Sequence, residues 1–166
     1  FLDKILGSTN EVWGKVFQQS GRTYTKPTLI RYSGGTTSGC GQATSSVGPF
    51  YCPLDQQVYI DADFFDLLSS QFGADGGNFA QMYVVAHEYG HHVQYELGLF
   101  DDHARDAEAT RATELEADAM AGYYLSHPRG ERLRQQRVVD FIESFGEVGD
   151  CSFTSDGHHG TPNQRE

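Results

Sequence analysis

Apolar and polar positions alternate with two different periods along this 166-residue chain, and each change of period marks an element. Val12, Trp13, Val16 and Phe17 recur at the three- and four-residue spacing of one helix face. Ser8 and Glu11 ahead of them form a capping box, in which each side chain accepts a backbone N–H that the first turn leaves unpaired, and Gly21 supplies a stop. We therefore expect a first helix from Ser8 to Gly21. Lys26-Pro27 opens an extended run, Thr28 to Tyr32, closed by Gly34-Gly35. Phe50 to Cys52 and Val58 to Ile60 flank the turn-forming Pro53 to Gln57 and predict a β-hairpin. Asp61-Ala62-Asp63 reads as the cap of a short helix through Phe72, with calcium ligation as the other use of such aspartates. Asn78 and Gln81 form a second capping box, heading a long helix that runs to Gly98. After a connection to Asp106, a helix is expected from about Ala107 to Ser126, stopped by His127-Pro128, and then a basic amphipathic helix over roughly Glu131 to Phe145. The chain from Gly146 is polar and glycine-rich.

Strands gathered in the first half and helices in the second predict an α+β fold. A small, mostly antiparallel sheet should pack on the helix that starts near Asn78, with a helical second half. No repeat or linker divides the sequence, so one domain over residues 1–166 is expected, long enough to bury a core without staples. The net charge of −11 is spread along the chain. That argues against nucleic acid or an anionic membrane surface as partner, since both call for a basic patch. No apolar run approaches membrane-spanning length. The first residue is Phe1 rather than Met, so a mature or trimmed form is expected, with an export signal or anchor as a candidate for the segment removed. Cys40 and Cys52 enclose a short Gly/Ser-rich segment, and a disulfide closing it would stabilise the fold by roughly 3 kcal/mol. Reduced thiols or a metal pair are the alternatives; Cys151 is the odd cysteine.

The long helix carries His87-Glu88-Tyr89-Gly90-His91. Positions i and i+4 share a helix face, so both imidazoles can reach one metal ion, and the glutamate beside the first is placed to act as a general base. Chance alone gives such a match in on the order of one in sixty chains of this composition, so a third ligand is needed. A metzincin would place Gly and His where this chain has Gln94 and Leu97. A structural finger would need cysteine pairs, and the three cysteines are far apart. A carboxylate from a second helix remains. In Thr113-Glu114-Leu115-Glu116-Ala117-Asp118 the acids at 114 and 118 share a face, so one can bind metal while the other accepts a ligand histidine's N–H. An acidic, solvated helix face is the bland alternative. His92 projects about 100° from His91, away from the same site, and is expected to be a packing or surface histidine; His103 and His127 lie in or beside loops.

H-E-x-x-H followed by E-x-x-A-D on a later helix resembles the gluzincins, zinc peptidases with a glutamate ligand. Further segments narrow the resemblance to a bacterial family of neutral zinc metallopeptidases. They are Cys40-Gly41, Ser45 to Cys52, Gln57 to Asp61, Phe79-Ala80-Gln81, His87 to Gln94, Glu114 to Asp118, Ala121-Gly122, His159-Gly160-Thr161 and Gln164-Arg165. This chain departs from the pattern at Ala119, where family members often carry Cys, and in stopping at Glu166 soon after the Gln-Arg pair. The resemblance implies one zinc ion held by His87, His91 and Glu114, with Asp118 behind a ligand histidine, and Glu88 as general base for a zinc-activated water. It also implies a donor to the developing oxyanion from His159, and a secreted or cell-envelope setting. The substrate would be a peptide or protein, bound as an added strand along a sheet edge, for which Gly41 to Pro49 is the expected segment. A zinc amidase acting on cell-wall peptides, and a zinc-binding module without turnover, stay open.

Overall fold

A computed structural model describes residues 2–44, 47–100 and 107–127 of the chain. The elements are α1 (Leu2–Gln19), β1 (Thr28–Tyr32), β2 (Gly35–Ser38), β3 (Gly41–Thr44), β4 (Phe50–Cys52), β5 (Gln57–Asp61), α2 (Ala62–Leu97) and α3 (Ala107–Ser126). The predicted helix over Glu131 to Phe145, His103, Cys151 and His159 lie outside the described residues.

α1 begins earlier than its capping box suggests. Ile5 extends the buried stripe of Thr9, Val12, Trp13 and Phe17 by one turn, and core packing outweighs the local start signal at Ser8. Ser8 lies inside the helix, where its hydroxyl donates to Ile5 O at 3.0 Å and also meets the hydroxyl of Tyr124. The helix ends in a left-handed Gly21 (φ 71°), with Arg22 N–H on Phe17 O and Gly21 N–H on Gln18 O, a Schellman arrangement.

β1, β5 and β4 form one sheet in the order β1-β5-β4. β4 pairs antiparallel with β5, as the hairpin pattern predicts, but β1 runs parallel to β5, with Thr28 opposite Gln57 and Tyr32 opposite Asp61. The sheet is therefore mixed. Gly35 opens a strand instead of only closing one, because β2 and β3 make a separate antiparallel hairpin. Gly41–Thr44, within the expected substrate edge, pairs with β2 on one side only, as either strand of a two-stranded hairpin does, and the edges of the larger sheet are β1 and β4. A Cys40–Cys52 disulfide ties the tip of the hairpin to the end of β4. Asp55 reinforces the junction by accepting Gly39 N–H at 2.6 Å and the Tyr59 hydroxyl at 2.7 Å.

α2 is helical without a break from Ala62 to Leu97, where two helices were expected. Asp61 caps it by accepting Asp63 N–H at 3.0 Å, and Gly98 (φ 73°) closes it. Its axis is not straight. Gln81 donates to Ser69 Oγ at 2.9 Å and to Phe65 O at 3.4 Å. In a straight helix those partners would lie about 18 and 24 Å away along the axis. The helix therefore folds back between Ser69 and Gln81, the stretch holding Gly73, Gly76 and Gly77. The two-helix reading located the change of direction but not the continuity of the helical turns.

From Met82 to Gln94 every residue of α2 is buried, as expected of a helix covered on all sides. β4 and β5 pack on one face and join Val58 and Ile60 to Val84 and Val85; α1 covers another through Trp13 and Phe17 against Val93; α3 takes the third. His92 is a packing histidine rather than a surface one. Its Nε2 donates to Thr25 O at 2.6 Å, which leaves Nδ1 to accept the Tyr51 hydroxyl at 3.0 Å. Burial lowers its pKa, consistent with a neutral ring.

Candidate metal centre

Two stripes with the same spacing face each other across α2 and α3. His87, Gly90, His91 and Gln94 on α2 occupy positions i, i+3, i+4 and i+7, and Glu114, Ala117, Asp118 and Ala121 on α3 repeat that spacing. All eight residues are buried. Gly90 lets the helices approach: a Cβ there would sit 2.8 Å from Ala117 O and 3.0 Å from Ala117 Cα. Glu114 and Asp118, on either side of Ala117 along the same stripe, are thereby brought against the histidines.

One oxygen of Glu114 faces each imidazole. His87 Nε2 lies 3.1 Å from Glu114 Oε2, and His91 Nε2 lies 3.4 Å from Glu114 Oε1. The other ring nitrogens are occupied, His87 Nδ1 by Asp118 Oδ1 at 2.8 Å and His91 Nδ1 by Gln94 Oε1 at 2.9 Å. With each Nδ1 donating to its own partner, Nε2 is the atom of each ring turned toward the carboxylate and placed to meet a metal. His87, His91 and Glu114 offer ligand atoms within 4.8 Å of one another and are the group among the described residues able to hold a metal ion. Ligand atoms of a tetrahedral zinc ion, each about 2.0–2.1 Å from the metal, lie about 3.3 Å apart. The donor set fits zinc, and the two nitrogen–oxygen distances lie near that spacing.

Electrostatics at the site are set by carboxylates. Burial opposes a charge on His87, but the hydrogen bonds to Asp118 and Glu114 and the nearby charge of Glu88 outweigh it and raise its pKa to about 10. Tyr83 donates its hydroxyl to Asp118 from the same side. Glu88 is buried at 7% exposure, and its charge, after burial and Asp61, helps push the Tyr32 hydroxyl up to about 12. Tyr32 donates to Gly48 O at 2.6 Å, which ties the end of β1 to the turn before β4.

A family model described as "putative neutral zinc metallopeptidase" matches residues 1–163. The chain belongs to this family. Among its curated relatives, the uncharacterized protein YpfJ of Escherichia coli (strain K12) is 44% identical over 149 residues, covering 84% of this chain and 50% of that protein. The uncharacterized protein Rv2575 of Mycobacterium tuberculosis (strain H37Rv) is 44% identical over 142 residues, covering 76% of this chain and 48% of that protein. The chain thus spans about half the length of the curated relatives it matches. No solved structure matches it.

Three residues of the centre escaped sequence reasoning. Gln94 entered as a mismatch to the metzincin pattern and as the end of the family-like segment from His87, with no role assigned, yet it is 1% exposed and bonded to His91. Its place seven residues after His87 was the available signal, since a polar residue on the ligand face of an otherwise apolar helix needs a partner. Gly90 had a similar signal, a glycine on that face one residue before a ligand. Tyr83, one turn before His87, shares its face, but nothing local shows that its hydroxyl reaches Asp118.

Proposed function

We propose that this member of the family is a zinc-dependent endopeptidase, with His87, His91 and Glu114 as zinc ligands and Glu88 as general base. One observation carries the reading: two imidazole Nε2 atoms and both oxygens of Glu114 converge in a buried site, with the carboxylate of Glu88 on the turn between the histidines. Zinc bound there supplies Lewis-acid polarisation of a carbonyl and lowers the pKa of water. Asp118 and Gln94 hold the two rings with Nε2 deprotonated. Glu88 accepts a proton from the attacking water and returns it to the leaving amine. His159 completes the assignment as a donor to the carbonyl oxygen as charge develops. The Cys40–Cys52 disulfide supports an extracytoplasmic setting, where such bonds persist. No helix among the described residues is long and apolar enough to cross a membrane.

The test is metal analysis of the purified protein alongside digestion of casein and of purified peptidoglycan. One zinc per chain and casein cleavage abolished by a chelator and restored by zinc are expected. Cleavage of peptidoglycan alone would transfer the chemistry to cell-wall amides. Zinc binding with cleavage of neither would leave a binding module.

A further inference from the structure

Gln94 is bonded in three directions. Its Nε2 donates to Thr113 O at 2.8 Å and to Glu116 Oε2 at 3.0 Å, both on α3, while its Oε1 lies 2.9 Å from His91 Nδ1. Two acceptors on α3 fix which end of the amide is which, because a carbonyl and a carboxylate cannot donate to the amide oxygen. The oxygen must then face His91, and His91 must carry its proton on Nδ1. That tautomer points the bare Nε2 at Glu114, whose backbone follows directly on the Thr113 carbonyl that anchors the amide.

We propose that Gln94 is a positioning residue that fixes the tautomer and orientation of His91 and makes them depend on the seating of α3. This rests on the zinc reading of His87, His91 and Glu114. His87 is oriented directly by a carboxylate on α3, Asp118; His91 is oriented by a neutral amide on its own helix that α3 holds in place. One helix therefore supplies the third ligand and, directly or through Gln94, the orientation of both rings. A bland alternative gives Gln94 only a structural role, filling the seam between the helices with its bonds to Thr113 and Glu116.

Two variants separate these roles. Gln94→Leu removes the acceptor for His91 and both donors to α3. Gln94→Glu keeps an acceptor for His91 and loses both donors, and with two acceptor oxygens it fixes the tautomer without help from α3. Apparent zinc affinity of the whole protein, measured by competition with a chromogenic chelator, should fall about 10- to 100-fold in Gln94→Leu, the range for loss of a group behind a metal ligand. In Gln94→Glu it should stay within about threefold of the unsubstituted protein. Both metal-free variants should melt at lower temperature, since both lose the bonds to α3. Zinc binding as weak in Gln94→Glu as in Gln94→Leu would overturn the proposal in favour of the seam role, as would unchanged affinity in Gln94→Leu. If Gln94→Leu does not fold, an affinity in Gln94→Glu at least tenfold below the unsubstituted protein is the overturning result. Failure of the unsubstituted protein to bind zinc would overturn the metal reading as well, a separately visible outcome.

Discussion

At His87 the two ring nitrogens have separate tasks: Nδ1 meets Asp118 at 2.8 Å, and Nε2 is turned to the ligand position beside Glu114. Without metal, the surrounding carboxylates hold a proton on this ring despite its burial, so zinc must displace that proton to bind. Asp118 repays that cost by accepting the remaining N–H and raising the ring's basicity. Asp118→Ala should therefore weaken zinc about 10- to 100-fold without abolishing binding; unaltered affinity in a chelator competition would contradict the role. Glu116, exposed on α3, meets the centre through the Gln94 amide, and Glu116→Ala should retain zinc where Glu114→Ala loses it. The reverse pattern would mean that the register of α3 is wrong. The sequence spacing made His87, His91, Glu114 and Asp118 legible, because helical periodicity alone puts each pair on one face. Which acid meets which ring was not legible, since that follows from how closely two helices pack.

Helix α2 shows where local signals end. Its capping residues, Asp61 and Gly98, are readable because each satisfies backbone groups of its own turn. The two-helix reading placed the fold-back between Ser69 and Gln81, but the contacts of Gln81 with Ser69 and Phe65 across it were not readable, because they join partners that straight helical geometry would separate. The parallel pairing of β1 with β5 escaped for the same reason: strand pattern sets which face is buried, not which neighbour is chosen. At the crossing of α2 with α3, Gly90 is required by a backbone contact. Gly90→Ala should force α3 outward, lower stability by about 1–3 kcal/mol and weaken zinc binding together. Gly122→Ala on α3, where an added Cβ meets nothing within 4 Å, should be neutral or stabilising by up to about 1 kcal/mol. Equal melting temperatures and zinc affinities for the two variants would remove the close-approach argument.

At the scale of the whole molecule, the Cys40–Cys52 bond joins the β2–β3 hairpin to the larger sheet. Cys40→Ser should lower unfolding stability by about 2–4 kcal/mol, and reductant should bring the unsubstituted protein to the same value. A reductant-insensitive denaturation curve would show that the bond does not hold the fold. The oxyanion assignment of His159 comes from the resemblance carried by His159-Gly160-Thr161. His159→Ala should cut kcat well beyond any change in KM, with zinc content held, and an unchanged kcat would end that assignment. The central claim is that one buried site both holds zinc and, through Glu88, moves the proton that hydrolysis requires. Glu88→Gln tests it most directly, by zinc analysis and casein hydrolysis on the same sample. The account predicts one zinc per chain, an unchanged fold, and a rate lower by at least about 10²-fold. Zinc-loaded Glu88→Gln that keeps a substantial fraction of the parent rate would contradict it.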